Sequence, residues 1–258
     1  MWVRYPQSSG LSEVVEGSMA TKPRSSAEQQ AALGVLSARP TPPESRELGP
    51  EGTHRLRLGT DRDGILSVPP GSDPSRPAPL LIMLHGAGGT AEQVIPMVQP
   101  PANHRGVVVL APDSRDRRSW DLIRGGYGPD IRFLDEALTL VFRQRAILPD
   151  RIAIAGFSDG ASYALSLALI NGLLFRAALA FSPGFAAPAT TNGHPRIFIS
   201  HGTRDDVLPI ERCGRALARK LRQTGYDVTY DEFEGGHVVP PTSVETAFGV
   251  FLDRPNPP

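Results

Sequence analysis

The sequence predicts an α/β fold, with a doubly wound, mostly parallel sheet and no large lid. Apolar runs of strand length alternate with longer stretches of helical periodicity, which is the pattern of β-α-β units. The runs LLIML at 80–84 and VVVL at 107–110 are continuously apolar, as in strands that helices cover on both faces. The chain between 181 and 196 is too short to form a large helical lid.

The composition indicates which class of protein the chain belongs to and which partners are not expected. The chain has 258 residues, 40% of them hydrophobic, which suits one large α/β domain and excludes global disorder. Its 27 Lys and Arg balance 27 Asp and Glu without a long basic run, so neither nucleic acid nor an anionic membrane is an expected partner. The six His are scattered, so we expect no metal site, and no organic cofactor is implied.

Cysteine content and hydropathy bear on the compartment. Cys213 is the only cysteine, so an intrachain disulfide is excluded and a reducing compartment is expected. No apolar run in the sequence is long enough to span a bilayer. Together these features predict a cytoplasmic protein without a membrane span.

Residues 1–50 differ in composition from the rest of the chain. They are rich in Ser, Pro, Glu and Arg, and their only apolar patch lies at 31–36. Such a segment buries too little apolar surface to offset its conformational entropy. We therefore expect a disordered or loosely packed N-terminal extension over 1–50 and an α/β domain over 51–258. A docking or regulatory arm is the alternative for the extension.

The elements of the domain follow in order from residue 54. The stretch 54–68 alternates polar and apolar residues around Asp63-Gly64, which predicts an antiparallel hairpin at a sheet edge. Apolar residues recur at helical spacing over 130–147, and Asp130 is placed to cap the start of this helix. The remaining predicted elements are strands at 152–155, 177–181, 196–200 and 228–234, and helices after Gly160, at 210–223 and at 244–252.

One stretch combines a strand, a sharp turn and a helix around a serine. Residues 156–160 read G-F-S-D-G, after an apolar run and before a helix-forming run. In this context a G-x-S-x-G motif holds the serine in a strained turn, and glycines on either side avoid clashes between strand and helix. The Ser158 hydroxyl then stands at the positive end of the following helix. Ser158 is therefore the predicted nucleophile.

A glycine-rich turn follows the strand at 80–84. Residues 85–89 read H-G-A-G-G, and this turn has a purely structural interpretation as a tight strand-to-helix connection. In the functional interpretation, the missing side chains let backbone N–H groups point to a developing oxyanion. Such a turn upstream of G-x-S-x-G supplies one of the two oxyanion donors. We assign the N–H groups of Ala87 and Asp159 as donors, with Gly88 as a further candidate.

A serine hydroxyl needs a base, and later loops offer one. In a sheet of this kind the acid and then the histidine follow the serine, each after a later strand. His237, in a Gly-Gly-His turn after the final strand, is the only histidine beyond the candidate acids. Asp205 and Asp206 are adjacent in the loop HGTRDDVLP at 201–209, so the acid is one of these two.

Four motifs carry a resemblance to a known family. LHGAGG at 84–89, GFSDG at 156–160, HGTRDDVLP at 201–209 and GGH at 235–237 resemble the phospholipase/carboxylesterase branch of the α/β-hydrolases, which is related to acyl-protein thioesterases and dienelactone hydrolases. The resemblance spans about residues 79–251. It implies that Asp205 is the catalytic acid and that Asp206 is solvated or caps a turn. Thioesterases of this group usually carry Gln where this chain has Asp159.

The motifs together predict a serine carboxylesterase that hydrolyses small to medium acyl esters through an acyl-enzyme on Ser158. Its partner is a small-molecule ester, and the oligomeric state is not predicted. Acyl-thioesterase or lysophospholipase activity on the same fold is the nearest alternative. A non-catalytic binding protein on a hydrolase scaffold is an alternative of a different class.

Aromatic and histidine residues near the site have simpler interpretations beside functional ones. Trp120 lies in the loop after the strand at 107–110, where an aromatic side chain lines a substrate pocket or merely packs. We predict Trp120 as a substrate-pocket residue. His85 and His201 are interpreted as ordering their own loops.

Overall fold

One eight-stranded sheet carries the domain in the computed structural model, which describes residues 25–40, 49–59, 61–73 and 75–253. The strands, in chain order, are β1 (Gly52–Arg55), β2 (Gly64–Val68), β3 (Ala78–Leu84), β4 (Val108–Pro112), β5 (Ile147–Phe157), β6 (Ala177–Phe181), β7 (Arg196–Gly202) and β8 (Val228–Phe233). Their order across the sheet is β1-β2-β4-β3-β5-β6-β7-β8.

Strand direction confirms the predicted mostly parallel sheet. Strands β1 and β2 pair antiparallel, with Gly52 opposite Val68 and Arg55 opposite Ile65, so the predicted edge hairpin is confirmed. Strand β2 also pairs antiparallel with β4. All other neighbours, from β4 through β3 to β8, pair parallel. The carboxyl ends of β3, β5, β7 and β8 therefore lie at one edge of the sheet.

Helices cover both faces of the sheet, as a doubly wound fold requires. The helices are α1 (Ser26–Ala32), α2 (Ala91–His104), α3 (Asp121–Arg124), α4 (Pro129–Gln144), α5 (Asp159–Ile170), α6 (Gly214–Gln223) and α7 (Pro241–Leu252). One apolar core includes side chains of α1, α4, α5 and α6, and a second includes side chains of α2 and α7. Among the described helices, none has both the length and the apolar character needed to cross a membrane.

The connection between β6 and β7 agrees with the expectation of no large lid. Residues 182–195 contain no helix, and most of them form irregular structure at intermediate or full exposure. The site edge of the sheet therefore carries no helical cap from this connection.

Helix α4 corrects the predicted role of Asp130. The helix begins at Pro129 after Gly128, and it is the carboxylate of Asp121 that accepts a first-turn N–H, that of Asp130 at 2.9 Å. The buried carboxylate of Asp130 instead accepts the backbone N–H of Arg115 at 2.5 Å and that of Asp121 at 2.6 Å. The capping prediction is wrong because this carboxylate turns away from its own helix to hold the loop that precedes α3.

The N-terminal segment also differs from the expectation. Residues 25–40 are packed against the domain, with Ala31 and Leu36 only 3% and 1% exposed in the core shared with α4 and α5. The side chain of Asn171 accepts the backbone N–H of Leu36 at 2.9 Å and donates to the Gly34 carbonyl at 2.9 Å. The loosely packed extension therefore does not hold for this stretch. The rest of that prediction, at 1–24 and 41–48, lies outside the described residues.

Candidate active site

The nucleophile turn joins β5 to α5. Ser158 lies between Phe157, the last residue of the strand, and Asp159, the first residue of the helix. Its backbone has φ 58° and ψ −120°, a strained conformation that costs about 1–3 kcal/mol for a residue with a side chain. Helix α5 points its positive end at this serine. The turn between β5 and α5 therefore places Ser158 at the carboxyl end of the strand and at the N-terminus of the helix.

Two glycines make this turn sterically feasible. A Cβ at Gly156 would lie 2.2 Å from the carbonyl oxygen of Gly160, since the strand and the helix nearly touch there. A Cβ at Gly160 would in turn lie 2.4 Å from the carbonyl oxygen of His85, at the end of β3. Any side chain at either position would push the helix away from the sheet. The spacing of the G-x-S-x-G motif is therefore explained by backbone contact.

The structure brings together the three side chains of the predicted triad. Nε2 of His237 lies 2.8 Å from Oγ of Ser158, and Nδ1 of the same ring lies 2.7 Å from Oδ2 of Asp205. The Phe157 ring lies against the His237 ring with centroids 4.7 Å apart, which fixes the ring orientation. This geometry places a base within hydrogen-bond reach of the hydroxyl and an acid behind the base.

The carboxylate of Asp205 is fully buried and fully hydrogen-bonded. Its Oδ1 accepts the backbone N–H groups of Val207 at 3.0 Å and of Leu208 at 2.8 Å. Its Oδ2 faces His237 and also Nε2 of His201, at 3.2 Å. Burial raises the pKa of Asp205, but the hydrogen bonds from Leu208 and His237 outweigh it and leave the pKa below its usual range. The carboxylate therefore stays charged beside the imidazole.

The neighbouring carboxylate is differently placed. Asp206 is exposed to solvent, whereas Asp205 is 6% exposed and touches His237. The geometry thus separates the two candidate acids that the sequence leaves adjacent, and it favours Asp205.

The turn at 85–89 lies beside the nucleophile. A Cβ built on Gly86 would lie 3.4 Å from Cβ of Ser158, so the two turns are in contact. Among the described residues, the backbone N–H groups of Ala87 and Asp159 have no hydrogen-bond acceptor. The N–H of Gly88 donates to the Arg118 carbonyl at 2.8 Å, so this third candidate donor is engaged elsewhere. Ala87 and Asp159 therefore remain the candidate oxyanion donors.

His85 orders this turn, as interpreted from the sequence. Its Nδ1 donates to the Gly86 carbonyl at 2.7 Å, and its Nε2 accepts the backbone N–H of Ser114 at 3.0 Å. Burial lowers the pKa of His85, which keeps the ring neutral and in the tautomer that these two partners require. The ring thereby ties the turn to the loop that follows β4.

Trp120 does not line an open pocket, which corrects the sequence interpretation. The side chain is 1% exposed and stacks between His85 and Tyr163, at ring distances of 4.7 and 5.2 Å. Its indole N–H donates to the carbonyl of His85 at 2.8 Å. Burial on this scale leaves no surface for a substrate, so Trp120 instead packs against the turn at 85–89 and supports it.

Ser119 is a site residue that sequence reasoning missed. Its hydroxyl donates to Oδ2 of Asp159 at 2.5 Å, and it is 4% exposed. With the contacts of Arg118 to Gly88 and of Trp120 to His85, three successive residues hold the two turns that carry the candidate oxyanion donors. We call residues 118–120 the bracing segment. No motif in the sequence signals it, since its partners are distant in the chain.

The described part of the chain was also searched for a possible metal site. No group of three or more His, Cys, Asp or Glu side chains there is arranged to hold a metal ion.

The chain matches one family model over part of its length. Residues 132–251 match the model described as phospholipase/carboxylesterase. This region includes Ser158, Asp205 and His237 but not the turn at 85–89.

Two kinds of named relative match part of the chain. The chain is 27% identical to feruloyl esterase C of Emericella nidulans over 169 residues, which cover 63% of this chain and 62% of that protein. It is 32% identical to acyl-protein thioesterase 1 of Gibberella zeae over 122 residues, which cover 43% of this chain and 51% of the relative. The chain thus spans between half and two thirds of the length of these relatives.

Solved structures of esterases share the fold. Esterase PE8 matches with a TM-score of 0.57 and 24% identity, over 70% of this chain and 95% of that one. Thermogutta terrifontis esterase 2, phosphorylated by paraoxon, matches with a TM-score of 0.59 and 18% identity, over 79% of this chain and 96% of that one. At this level of identity the likeness establishes the fold alone.

Proposed function

We propose that this chain, which shares the fold of solved esterases, is a serine carboxylesterase acting on small to medium acyl esters. The observation that carries the proposal is the continuous chain of hydrogen bonds from Ser158 through His237 to Asp205, at 2.8 and 2.7 Å. The similarity to a feruloyl esterase and to the phospholipase/carboxylesterase model supports the same reaction class. We assign the catalytic domain to residues 51–258, with residues 25–40 packed against it, and we propose a small-molecule ester as the substrate.

The proposed mechanism is acyl transfer to water. His237 takes the Ser158 proton as the serine oxygen attacks the ester carbonyl, and the charged Asp205 stabilises the imidazolium that forms. The oxyanion of the tetrahedral intermediate accepts the N–H groups of Ala87 and Asp159, each worth about 3 kcal/mol. His237 returns the proton to the leaving alcohol. Water then repeats the attack on the acyl-enzyme, with the same histidine as base, and releases the acid.

Surroundings of the site support an apolar substrate of modest size. Val207, two residues after the acid, and Val238, directly after the base, are 61% and 52% exposed. These side chains offer apolar surface beside the catalytic loops. The irregular connection at 182–195 leaves the edge without a helical cap, which favours small and medium esters over long triglycerides.

A thioester is the second candidate substrate. The similarity to an acyl-protein thioesterase favours it, and the same nucleophile and oxyanion donors serve oxygen and sulfur esters alike. Asp159, where thioesterases of the group usually have Gln, favours the oxygen ester. Lysophospholipase activity is a further alternative on the same fold, so the substrate test includes a lysophospholipid.

Covalent labelling of the serine, followed by measurement of hydrolysis rates, tests the proposed function. We expect a fluorophosphonate probe to label the wild-type chain at Ser158 and to leave S158A unlabelled. A folded chain that is not labelled would instead be a binding protein on a hydrolase scaffold. Rates on aryl esters from acetate to decanoate, methyl ferulate, an acyl thioester and a lysophospholipid would then rank the substrate classes. We expect the short and medium oxygen esters to give the highest kcat/KM.

The compartment is also a proposal. Cys213 is buried as a free thiol, and its pKa is raised by burial and by the nearby Asp205 carboxylate, so the thiol stays protonated. A free thiol of this kind fits a reducing, cytoplasmic location. Fractionation of the host cell with antibodies to the chain tests it.

A further inference from the structure

A second histidine lies against the acid of the proposed triad. Nε2 of His201 lies 3.2 Å from Oδ2 of Asp205, the same oxygen that faces His237. Both side chains of this contact, His201 and Asp205, are completely buried. Two imidazoles thus share one carboxylate oxygen, and only one of them reaches Ser158.

The partners of His201 fix its tautomer. Nε2 faces two acceptors, the Asp205 carboxylate and the Leu208 carbonyl at 2.7 Å, so this nitrogen carries the proton. Nδ1 is buried without a hydrogen-bond partner, and a Cβ at Gly214 would lie 2.7 Å from it. A second proton on the ring would therefore have no acceptor. Burial lowers the pKa of His201, which agrees with a permanently neutral ring.

The contact to Leu208 acts on the acid from its other side. The peptide N–H of Leu208 donates to Oδ1 of Asp205 at 2.8 Å, while its carbonyl accepts from His201. His201 therefore lies beside Oδ2 and, through its hydrogen bond to Leu208, holds in place a residue that binds Oδ1. If His201 only ordered its own loop, its contact with Leu208 would suffice, and the contact with Asp205 would be unnecessary.

From this geometry we infer that His201 is a positioning residue that sets how strongly Asp205 attracts the proton of His237. The inference rests on the proposed function, since it concerns the acid of that triad. The Nε2–H group of His201 donates to the Leu208 carbonyl, and its positive end also lies 3.2 Å from Oδ2 of Asp205. A positive dipole end beside a carboxylate oxygen stabilises its negative charge and weakens its pull on any other cation. Without His201 beside it, the Asp205 carboxylate would attract the imidazolium of the triad more strongly.

Other charged groups around the pair do not replace this contact. Cys213 lies near Asp205, and Arg212 lies near Cys213. Glu232 lies near His201, but its carboxylate forms an ion pair with Arg215 at 2.6 Å. None of these side chains hydrogen-bonds the Asp205 carboxylate among the described residues.

The test compares two amides at position 201 in the full chain. In H201Q the amide nitrogen reaches the place of Nε2, whereas in H201N it reaches only the place of Nδ1 and leaves Asp205 without this donor. We expect the acid limb of kcat/KM against pH to move up by roughly half a unit in H201N, with KM little changed. In H201Q we expect the limb to stay near the wild-type position.

The titration of the His237 ring, followed by NMR, should move in the same direction without any turnover. It thus separates this inference from the proposed function, which fails if Ser158 is not labelled and no ester is cleaved. Equal limbs in H201N and wild type, equal shifts in both variants, or a shift to lower pH in H201N would each overturn the inference. If H201N does not fold, H201L replaces it with the same expected shift.

Discussion

Nε2 of His237 lies 2.8 Å from Oγ of Ser158, although 79 residues separate them in the chain. The parallel pairing of β5, β6, β7 and β8 explains this proximity, because each strand ends at the same edge of the sheet. The serine follows β5, the acid follows β7 and the histidine follows β8. The proposed chemistry therefore depends on the strand register as much as on the three side chains.

The acid can be tested with adjacent, matched variants. D205N replaces the carboxylate that faces His237 with a neutral amide, so the imidazolium loses its stabilising charge. By analogy with serine proteases, we expect kcat to fall on the order of 10³- to 10⁴-fold. D206N, at the exposed neighbour, should stay within about twofold of wild type. Steady-state rates on an aryl ester measure both, and a large loss in D206N with D205N active would contradict the assignment.

The bracing segment makes a second prediction. S119A removes the donor to Asp159 and frees the residue whose N–H is assigned to the oxyanion. Because the donor itself remains, we expect kcat to fall about tenfold, less than the 10²- to 10³-fold typical of deleting a donor, with KM unchanged. D159N keeps an oxygen that accepts from Ser119 and should retain most of the activity. If S119A raises KM alone, Ser119 contacts substrate instead of positioning the turn.

Most residues of the candidate site could be predicted from short sequence motifs. The turns at 85–89 and 156–160 require close backbone approach, both within a turn, as between Gly156 and Gly160, and between the turns, as between Gly160 and His85. Only glycine permits such approach, so both turns appear in the sequence as short glycine motifs. The positions of the strands and the mostly parallel sheet were equally predictable, because buried strands are continuously apolar. Their ends were not, since β5 runs over Ile147–Phe157 where the sequence predicts a strand at 152–155 only. The choice of Asp205 over Asp206 needed a resemblance, since spacing alone cannot say which side chain turns inward.

Long-range packing accounts for what sequence could not provide. The burial of Trp120 depends on stacking against Tyr163, 43 positions later, which no local pattern encodes. Helix α2 is hard to predict from the sequence because Pro96, Pro100 and Pro101 lie within it and remove backbone hydrogen bonds. The burial of its apolar face in the core outweighs the loss of these hydrogen bonds. The docking of residues 25–40 depends on Asn171, more than 130 residues away.

Stability should depend on pH through Asp130. Burial and the nearby Asp121 carboxylate raise the pKa of Asp130 from 3.8 to about 6. Between these values the folded chain holds a proton that the unfolded chain has lost, so the free energy of unfolding falls as pH rises through this window. The loss amounts to about 3 kcal/mol at most.

The measurement is urea unfolding at several pH values between 4 and 7. D130N removes the titrating group, so its slope across the window should be flatter than that of wild type. D150N, at an exposed position, serves as the control and should keep the wild-type slope. Equal slopes in wild type and D130N would show that Asp130 is ionised in the folded chain throughout.

The docked N-terminal segment gives the last prediction. N171A removes the acceptor of the Leu36 N–H and the donor to the Gly34 carbonyl, leaving both buried groups without a partner. We expect a loss of about 1–3 kcal/mol in the local stability of residues 25–40. Faster amide exchange at Leu36 and faster proteolysis within this segment measure it. N192A, at an exposed position nearby, should leave both rates unchanged.

The same variant separates docking from catalysis. Asn171 follows the C-terminus of α5, whereas Ser158 precedes its N-terminus, and the 12-residue helix between them spans about 18 Å. Loosening the segment therefore leaves the nucleophile turn in place, and we expect esterase rates within about twofold of wild type. A large fall in kcat with Ser158 still labelled would instead mean that the segment bears on the site, as the interpretation of a regulatory arm requires.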